Sequence, residues 1–271
     1  MNSNNPFDVH GIEHLSPSSI NTYIADPCMW ILRYLYNYKS PSNPAMWRGT
    51  VVDEGIGSFL GFYKNEDGEW VKKKTKTTPT KVVENALKQF QGLYNFHKKT
   101  TDIDKSKYER EKSFVPKYLN VAMPNYARLG TPVFYQKKIS LQLDEIPIPI
   151  IGYIDLQYEG VVRDIKTVSR LPSAIPDTVN RQLSIYALCE KSTPIVDYVY
   201  VTSSKAEVIT MFVEDVEEHI GVVKRVASSI MDLLSYSNDV NQIAKLFYPN
   251  FDDWRWSEGE IKVAKEIWSI K

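Results

Sequence analysis

The sequence predicts an α/β or α+β layer fold, with a helical N-terminal region leading into one mixed sheet flanked by helices. Three observations carry that expectation. Helix-start signals and apolar stripes of helical period fill the first half of the chain. Two β-rich runs, Ile148 to Tyr158 and Val161 to Val168, are separated by Glu159-Gly160, a two-residue connection with the glycine a tight hairpin turn needs. Beyond them the order is helix, two strands and a long helix.

Taken in order, "LSPSSINTY" offers Ser16 as N-cap and Pro17 at the first helical position, and Asp26-Pro27 repeats the signal for a second helix through Trp30, Leu32 and Tyr34. "NPAMWRGTVVDEGIGSFLGFY" reads as a third helix, with Val52, Ile56, Phe59 and Tyr63 on its apolar stripe. Another face carries Gly49, Asp53 and Gly57. Two glycines inside a helix cost about 1 kcal/mol each against alanine, so a close approach to that face is expected, and a tight helix packing site would serve equally well. Lys64 to Lys81 is polar and reads as a loop, and its Lys72, Lys73, Lys74 and Lys76 are either a solvated run or phosphate contacts. "TPTKVVENALKQFQGLYNF" is an amphipathic helix, and a further helix covers part of Tyr118 to Leu129, where Pro124 should break or kink it. Strand patterning starts at Phe134 in "FYQKKISLQL". After the hairpin come a helix over about 176–191, the strands "VDYVYVTS" and "AEVITMFV", a helix over 213–236 and a short terminal helix.

Composition excludes several classes. At 271 residues and 43% hydrophobic, the chain is long enough for a large core, and we expect one domain: a helical region of about 15–130, a sheet core of about 131–213 and C-terminal helices over 214–271. No apolar run approaches a membrane span, and "MNSNNPFDVHGIEHL" lacks a signal-peptide core. Cys28 and Cys189 are too few for a disulfide framework or a four-cysteine metal site. The expected setting is therefore the cytoplasm, the host's if the chain is of phage origin. Lys+Arg and Asp+Glu both number 33, so contact with a polyanion must be local.

The hairpin is the chemically informative stretch. If Tyr158 faces Val161, counting back sets Asp155 opposite Asp164. Directly opposed side chains lie about 4.5–5.5 Å apart at Cβ, and like charges there repel. Lys166 projects from the Asp164 face, and Ile154 and Ile165 are expected to pair on the other. Two carboxylates and an ammonium thus converge. A divalent cation would turn the repulsion into coordination, since Mg²⁺ takes carboxylate, carbonyl and water oxygens. An exposed hairpin with solvated charges is the alternative.

Gly152-x-x-Asp155, then Asp164-Ile165-Lys166, then Gln182-x-x-x-Tyr186 resembles the signature of the PD-(D/E)XK nucleases, in the branch of RecB-type, CRISPR-adaptation and phage exonucleases. "SPSSINTY" resembles the N-terminal helix of that branch, "WRGTVVDEG" its first acidic motif, and "FYQKKISLQLDEIPIPIIGYIDL" the strand pair leading to the site. The resemblance spans roughly Leu15 to Thr202. It implies that Asp53, Asp155, Asp164 and the carbonyl of Ile165 hold Mg²⁺ or Mn²⁺, that Lys166 orients or activates water and stabilises phosphate charge, and that Gln182 and Tyr186 border the site. Tyr186 also fits a core stripe with Val179, Leu183 and Ala187. Arg48 and Arg181 join the four lysines as candidate nucleic-acid-binding residues. Relatives often place histidine or glutamate where Asp53 stands, and Glu54 beside it leaves open which acid turns inward. Ile154 replaces the proline of the family's name. Some relatives carry an iron–sulfur cluster on four cysteines, which this chain lacks. The implied function is a metal-dependent DNA exonuclease of phage or bacterial recombination and repair. The alternatives are an endonuclease of junction-resolving or restriction type and an inactive nucleic-acid-binding recombination subunit. Candidate partners are DNA, a recombination or single-strand annealing protein and a second copy of the chain, with no membrane.

Overall fold

The computed structural model describes residues 5–73 and 75–270, so Lys74 of the lysine run lies outside the described residues. A turn of helix, α1 (Pro6–Val9), precedes α2 (Pro17–Ala25), which starts where the sequence demands: Ser16 Oγ accepts from the Ser19 N–H and Ser19 Oγ from the Ser16 N–H. Asp26 caps α3 (Pro27–Trp30) by accepting from Cys28 and Met29, and the chain continues as a π-helical turn over Ile31–Leu35. Asn43 caps α4 (Pro44–Leu60), and Gly61, at φ 96°, ends it in the left-handed conformation that glycine adopts without strain.

Two expectations fail next. The polar stretch after α4 is not a plain loop, because Phe62–Lys64 (β1) and Trp70–Lys72 (β2) pair as an antiparallel hairpin. Tyr63 therefore leaves the α4 stripe and stands exposed on β1. After α5 (Pro79–His97), helix α6 runs unbroken from Lys105 to Leu129 with Pro116 and Pro124 inside it, so Pro124 does not break it. Each internal proline costs about 3 kcal/mol. The helix persists because Val115, Tyr118, Leu119, Met123 and Tyr126 are all buried, and each such side chain contributes about 1.5–3 kcal/mol.

The strands are β3 (Phe134–Leu141), β4 (Ile150–Tyr158) and β5 (Val161–Val168), followed by α7 (Asp177–Glu190), β6 (Thr193–Val201), β7 (Ala206–Phe212), α8 (Val216–Ser235), α9 (Val240–Ala244) and α10 (Glu258–Ile267). The sheet order is β3-β4-β5-β6-β7, with β5 and β6 parallel across the α7 crossover and the other neighbours antiparallel. This is the mixed sheet the sequence predicts. One face shares a core with α1, α2, α7 and α8 that includes Ile20, Leu183 and Val223; the other shares a core with α4, α5 and α6 that includes Val52, Phe90 and Tyr118. No helix among the described residues is long and apolar enough to cross a membrane.

The β4–β5 hairpin turns as expected, with Tyr158 opposite Val161, but its ladder holds only to Leu156–Arg163. Asp155 and Asp164 occupy the next rung by count, and that rung is not formed. Ile154 packs in the core beside α7, whereas Leu156, two residues on, packs in the core beside α4 and α6. Residues i and i+2 of a regular strand share a face, so β4 turns over at Asp155. The facing position on β3, Gln136, has φ 51° and is likewise skipped by the ladder. The expected pairing of Ile154 with Ile165 on one face is thereby overturned, since the two lie in different cores.

The C-terminal helix is tied to the N-terminal region by one carboxylate. Glu260, with its side chain 2% exposed, accepts from Arg33 Nη2 at 2.7 Å, Ser40 Oγ at 2.6 Å and the Ser257 N–H at 2.9 Å. Burial alone would raise this carboxyl, but hydrogen bonds from Ser257, Ser40 and Arg33 outweigh it and hold the group at about 2, below its ordinary 4.5. Between those values the unfolded chain binds a proton that the folded chain refuses. The stabilisation is complete above the unfolded value and disappears as pH falls through the folded one. Melting temperature should decline between about pH 5 and pH 2 in wild type, and Glu260→Gln should be less stable at neutral pH with a flatter decline over that window.

Candidate active site in the sheet fork

Where β4 and β5 part, the freed backbone is met by a side chain. Asp155 Oδ2 accepts from the Ile165 N–H at 2.7 Å, spanning the fork in place of a ladder rung. Asp164 and Lys166 share the face of β5 that is turned toward α7. Lys166 Nζ lies 2.7 Å from Asp164 Oδ2, Gln182 Nε2 donates to Asp164 Oδ1 at 2.9 Å, and Lys166 Nζ donates to Gln182 Oε1 at 3.3 Å. Gln182 Nε2 also donates to Tyr186 Oη at 3.0 Å, so the two residues, one helical turn apart on α7, act on one side of the fork. Tyr186 is 3% exposed, and it serves both the core stripe and the edge of the site.

Gly152 has a steric reason. A Cβ there would lie 2.6 Å from Tyr186 Cε1, so the ring rests directly on the β4 backbone. Gly57 plays the same part on α4, where a Cβ would collide with the Tyr135 ring. Gly49 faces Thr167. The glycine face of α4 is thus the face laid against the sheet at the fork, and it carries Asp53 with it.

Asp53, not Glu54, turns inward. Tyr135 Oη donates to Asp53 Oδ2 at 2.7 Å, and Gln136 Nε2 reaches Asp53 Oδ2 at 3.0 Å and Asp155 Oδ1 at 2.8 Å. Glu54 points away to Lys64, at 2.7 Å, and to Gln89. Sequence reasoning gave Tyr135 and Gln136 no role. A glutamine inside an otherwise regular strand was the available signal, but its positive φ leaves no mark in sequence.

The electrostatics follow from burial. Burial pushes the Asp53 carboxyl up to about 7 against the Tyr135 hydrogen bond, with Glu54 and Asp164 adding repulsion. Burial first, then Asp164 and Asp53, hold Asp155 well above the usual carboxylate range. Burial would lower Lys166, but the Asp164 and Asp155 carboxylates outweigh it and hold the ammonium above its ordinary value. Lys166 is therefore a firmly held cation. On the far face, Asp197 is buried too, but Arg163 at 2.8 Å, Thr210 at 2.6 Å and Tyr126 at 3.2 Å satisfy it, as expected of a structural acid.

A hard divalent cation fits this donor set. The offered atoms are oxygens, and Asp53 Oδ1 is buried without a hydrogen-bond partner. Among the described residues, no three His, Cys, Asp or Glu already stand at metal-holding separation. One amide, that of Gln136, is shared by two of the acids instead. Among the candidate nucleic-acid contacts, Arg48 is paired with Glu111, bonded to the Thr167 carbonyl and stacked 4.8 Å over Tyr118. Arg181 donates to Asn21 at 2.7 Å and is 9% exposed. Both guanidinium groups are spent on the fold. Lys72, Lys73 and Lys76 are exposed, the first two on or next to β2, whose Trp70 packs 4.6 Å from Tyr135.

Gly152→Ala should drive the Tyr186 ring off β4 and destabilise the fold by about 1–3 kcal/mol, the usual cost of overpacking, read from urea unfolding. Gln136→Ala should lower melting temperature without metal, because Asp53 and Asp155 lose their shared donor. The same variant should gain more than wild type on adding Mg²⁺.

These features agree with comparisons against known proteins. The family model of the PD-(D/E)XK nuclease superfamily matches residues 14–254. No curated protein matches the chain. A solved structure from Eubacterium rectale, provisionally described as an exonuclease, superposes with a TM-score of 0.56 at 11% identity over 88% of each chain, which supports a shared fold. SSO0001, at 14% identity over 74% of this chain and 95% of its own, gives a TM-score of 0.35, too low to argue from. With the family model covering most of the chain, this chain belongs to the PD-(D/E)XK nuclease superfamily.

Proposed function

We propose that the chain is a metal-dependent DNA exonuclease whose active site is the sheet fork, acting in phage or bacterial recombination and repair. The observation that carries this reading is the fork itself: Asp155 bridging to Ile165, and Lys166 2.7 Å from Asp164, with Asp53 brought in on α4. Asp53, Asp155, Asp164 and the Ile165 carbonyl would hold Mg²⁺ or Mn²⁺. Such an ion, when bound, lowers the pKa of water and screens the scissile phosphate.

The chain's own residues supply the rest. Lys166, fixed as a cation by Asp164, sets an N–H donor and a positive charge where negative charge develops on the phosphate. Its raised pKa suits orientation of water better than removal of a proton. Gln182 holds Asp164 and Lys166 together and ties both to Tyr186, restricting their rotamers before substrate arrives. Exposed Lys72, Lys73 and Lys76 are proposed phosphate contacts beyond the fork. Intact acids and lysine weigh against an inactive binding subunit. The Eubacterium rectale protein's description favours an exonuclease over an endonuclease.

End-labelled linear DNA should be degraded with Mg²⁺ and spared without it, while covalently closed circles persist; cleavage of circles at the linear rate would make the chain an endonuclease. Asp164→Asn should abolish cleavage and shrink the melting shift on adding Mg²⁺. Lys166→Ala should cut single-turnover cleavage by about 10² or more while leaving DNA binding in Ca²⁺ nearly unchanged. Lost binding with surviving cleavage would make Lys166 a phosphate anchor instead.

A further inference from the structure

A cleft of about 1010 Å³ opens from Lys166, Gln182 and Tyr186 and runs out to Trp254 and Arg255. Its walls carry two aromatic side chains in contact with water. Tyr153, on β4 one residue from Gly152, is 51% exposed, and Trp254, on the loop before α10, is 89% exposed. A tryptophan left this open is not the product of a loose loop. Two residues later Trp256 is 5% exposed, and its Nε1 donates to Asp26 Oδ2 at 2.8 Å. Arg255 is paired with Asp253. Trp256 pins the loop to the α2–α3 corner, the Arg255–Asp253 pair braces it internally, and Trp254 is the side chain it holds out.

Positive charge free of an ion pair is scarce in this cleft. Lys166 is engaged by Asp164, Arg33 by Glu260 and Arg255 by Asp253. Lys138, exposed beside Tyr153 across the β3–β4 ladder, is the cleft cation without an ion pair among the described residues. The chain as a whole has formal net charge zero. Affinity for a polynucleotide here cannot rest on phosphate attraction alone. Aromatic faces offer the other contribution, and they are useful only to bases that are not already stacked in a duplex.

We infer that Trp254 and Tyr153 form a stacking platform for the bases of single-stranded DNA, leading an unpaired end along the cleft to Lys166. This deepens the nuclease reading and rests on it for the direction of travel, while the binding itself does not. Lys138 supplies a phosphate contact beside Tyr153. Both aromatics are exposed, so their removal tests contact rather than folding.

The test measures anisotropy of a labelled single-stranded oligonucleotide, an abasic strand of equal length and a blunt duplex, in Ca²⁺ at fixed salt. Trp254→Ala and Tyr153→Ala should each weaken binding of the single strand by about fivefold or more, the lower end of one stacked base. Trp254→Phe should retain most of the affinity, and the abasic strand and duplex should be indifferent to all three substitutions. Unchanged affinity of Trp254→Ala for the single strand overturns the platform, and so does an equal loss on the abasic strand, which would mean a backbone contact. Cleavage of the same strand by wild type in Mg²⁺ is scored separately. Aromatic-dependent binding with no Mg²⁺-dependent cleavage of either the strand or the duplex would sink the nuclease reading and leave the platform; cleavage with aromatic-independent binding would do the reverse.

Discussion

Because Asp155 spends an oxygen on the Ile165 N–H, β4 and β5 cannot continue as neighbours, and the sheet opens along a line that the rest of the molecule is arranged to support. β4 stays with β3 and β5 stays with β6. The turnover at Gln136 and Asp155 lets one strand face two different cores along its length. The gap beyond the fork is not left as bare strand edge, which would invite pairing with another chain. Leu15, just before α2, bridges to Ile150, and the Ile151 N–H donates to the Leu15 carbonyl at 2.8 Å. The N-terminal segment thus closes the edge that the site requires to be open.

Three layers meet at that opening, each by the loss of a side chain or the gain of a ring. Gly57 allows Tyr135 to approach α4 closely enough to bond Asp53, and Gly152 allows Tyr186 to lie on β4 and bond Gln182. In both places a missing Cβ admits an aromatic ring whose hydroxyl then orients a site residue. Trp70 of the β1–β2 hairpin packs edge-on to Tyr135 and fixes that ring from outside. The hairpin after α4 therefore supports the Asp53 side of the site.

Much of this was legible in the chain. The caps at Ser16 and Asp26 are local chemistry, and local chemistry survives into the fold. The Tyr158–Val161 register followed from turn length. Asp155, Asp164, Lys166 and Gln182 are linked through the fork as their motif order suggested, and the glycine face of α4 did meet a close neighbour. What failed was non-local. Nothing near Pro124 announces that the apolar stripe around it will be buried deeply enough to keep α6 continuous. A positive φ at Gln136 and the turnover of β4 depend on what α4 presents across the fork, so period-2 reasoning put Ile154 and Ile165 together when they belong to separate cores. Arg48 and Arg181 looked available for phosphate only because Glu111 and Asn21, their partners, are distant in sequence.

The fork also bears on stability. Buried carboxylates that repel one another oppose folding, and Asp53 and Asp155 both have their charged forms disfavoured. The chain meets that with devices that differ in permanence. The Ile165 N–H is backbone and cannot leave Asp155 without reshaping the strand. The Lys166 ammonium is held by Asp164 and Gln182 but retains a flexible stem. The Gln136 amide is neutral like the Ile165 N–H, but it is shared between two acids and sits on a side chain that can rotate away. Acids gathered at a sheet fork, bridged by one neutral side chain, leave the site short of positive charge without depriving it of order. A group that binds the folded chain there stabilises it by mass action. The same carboxylates that weaken the fold are therefore what would couple its stability to a cation.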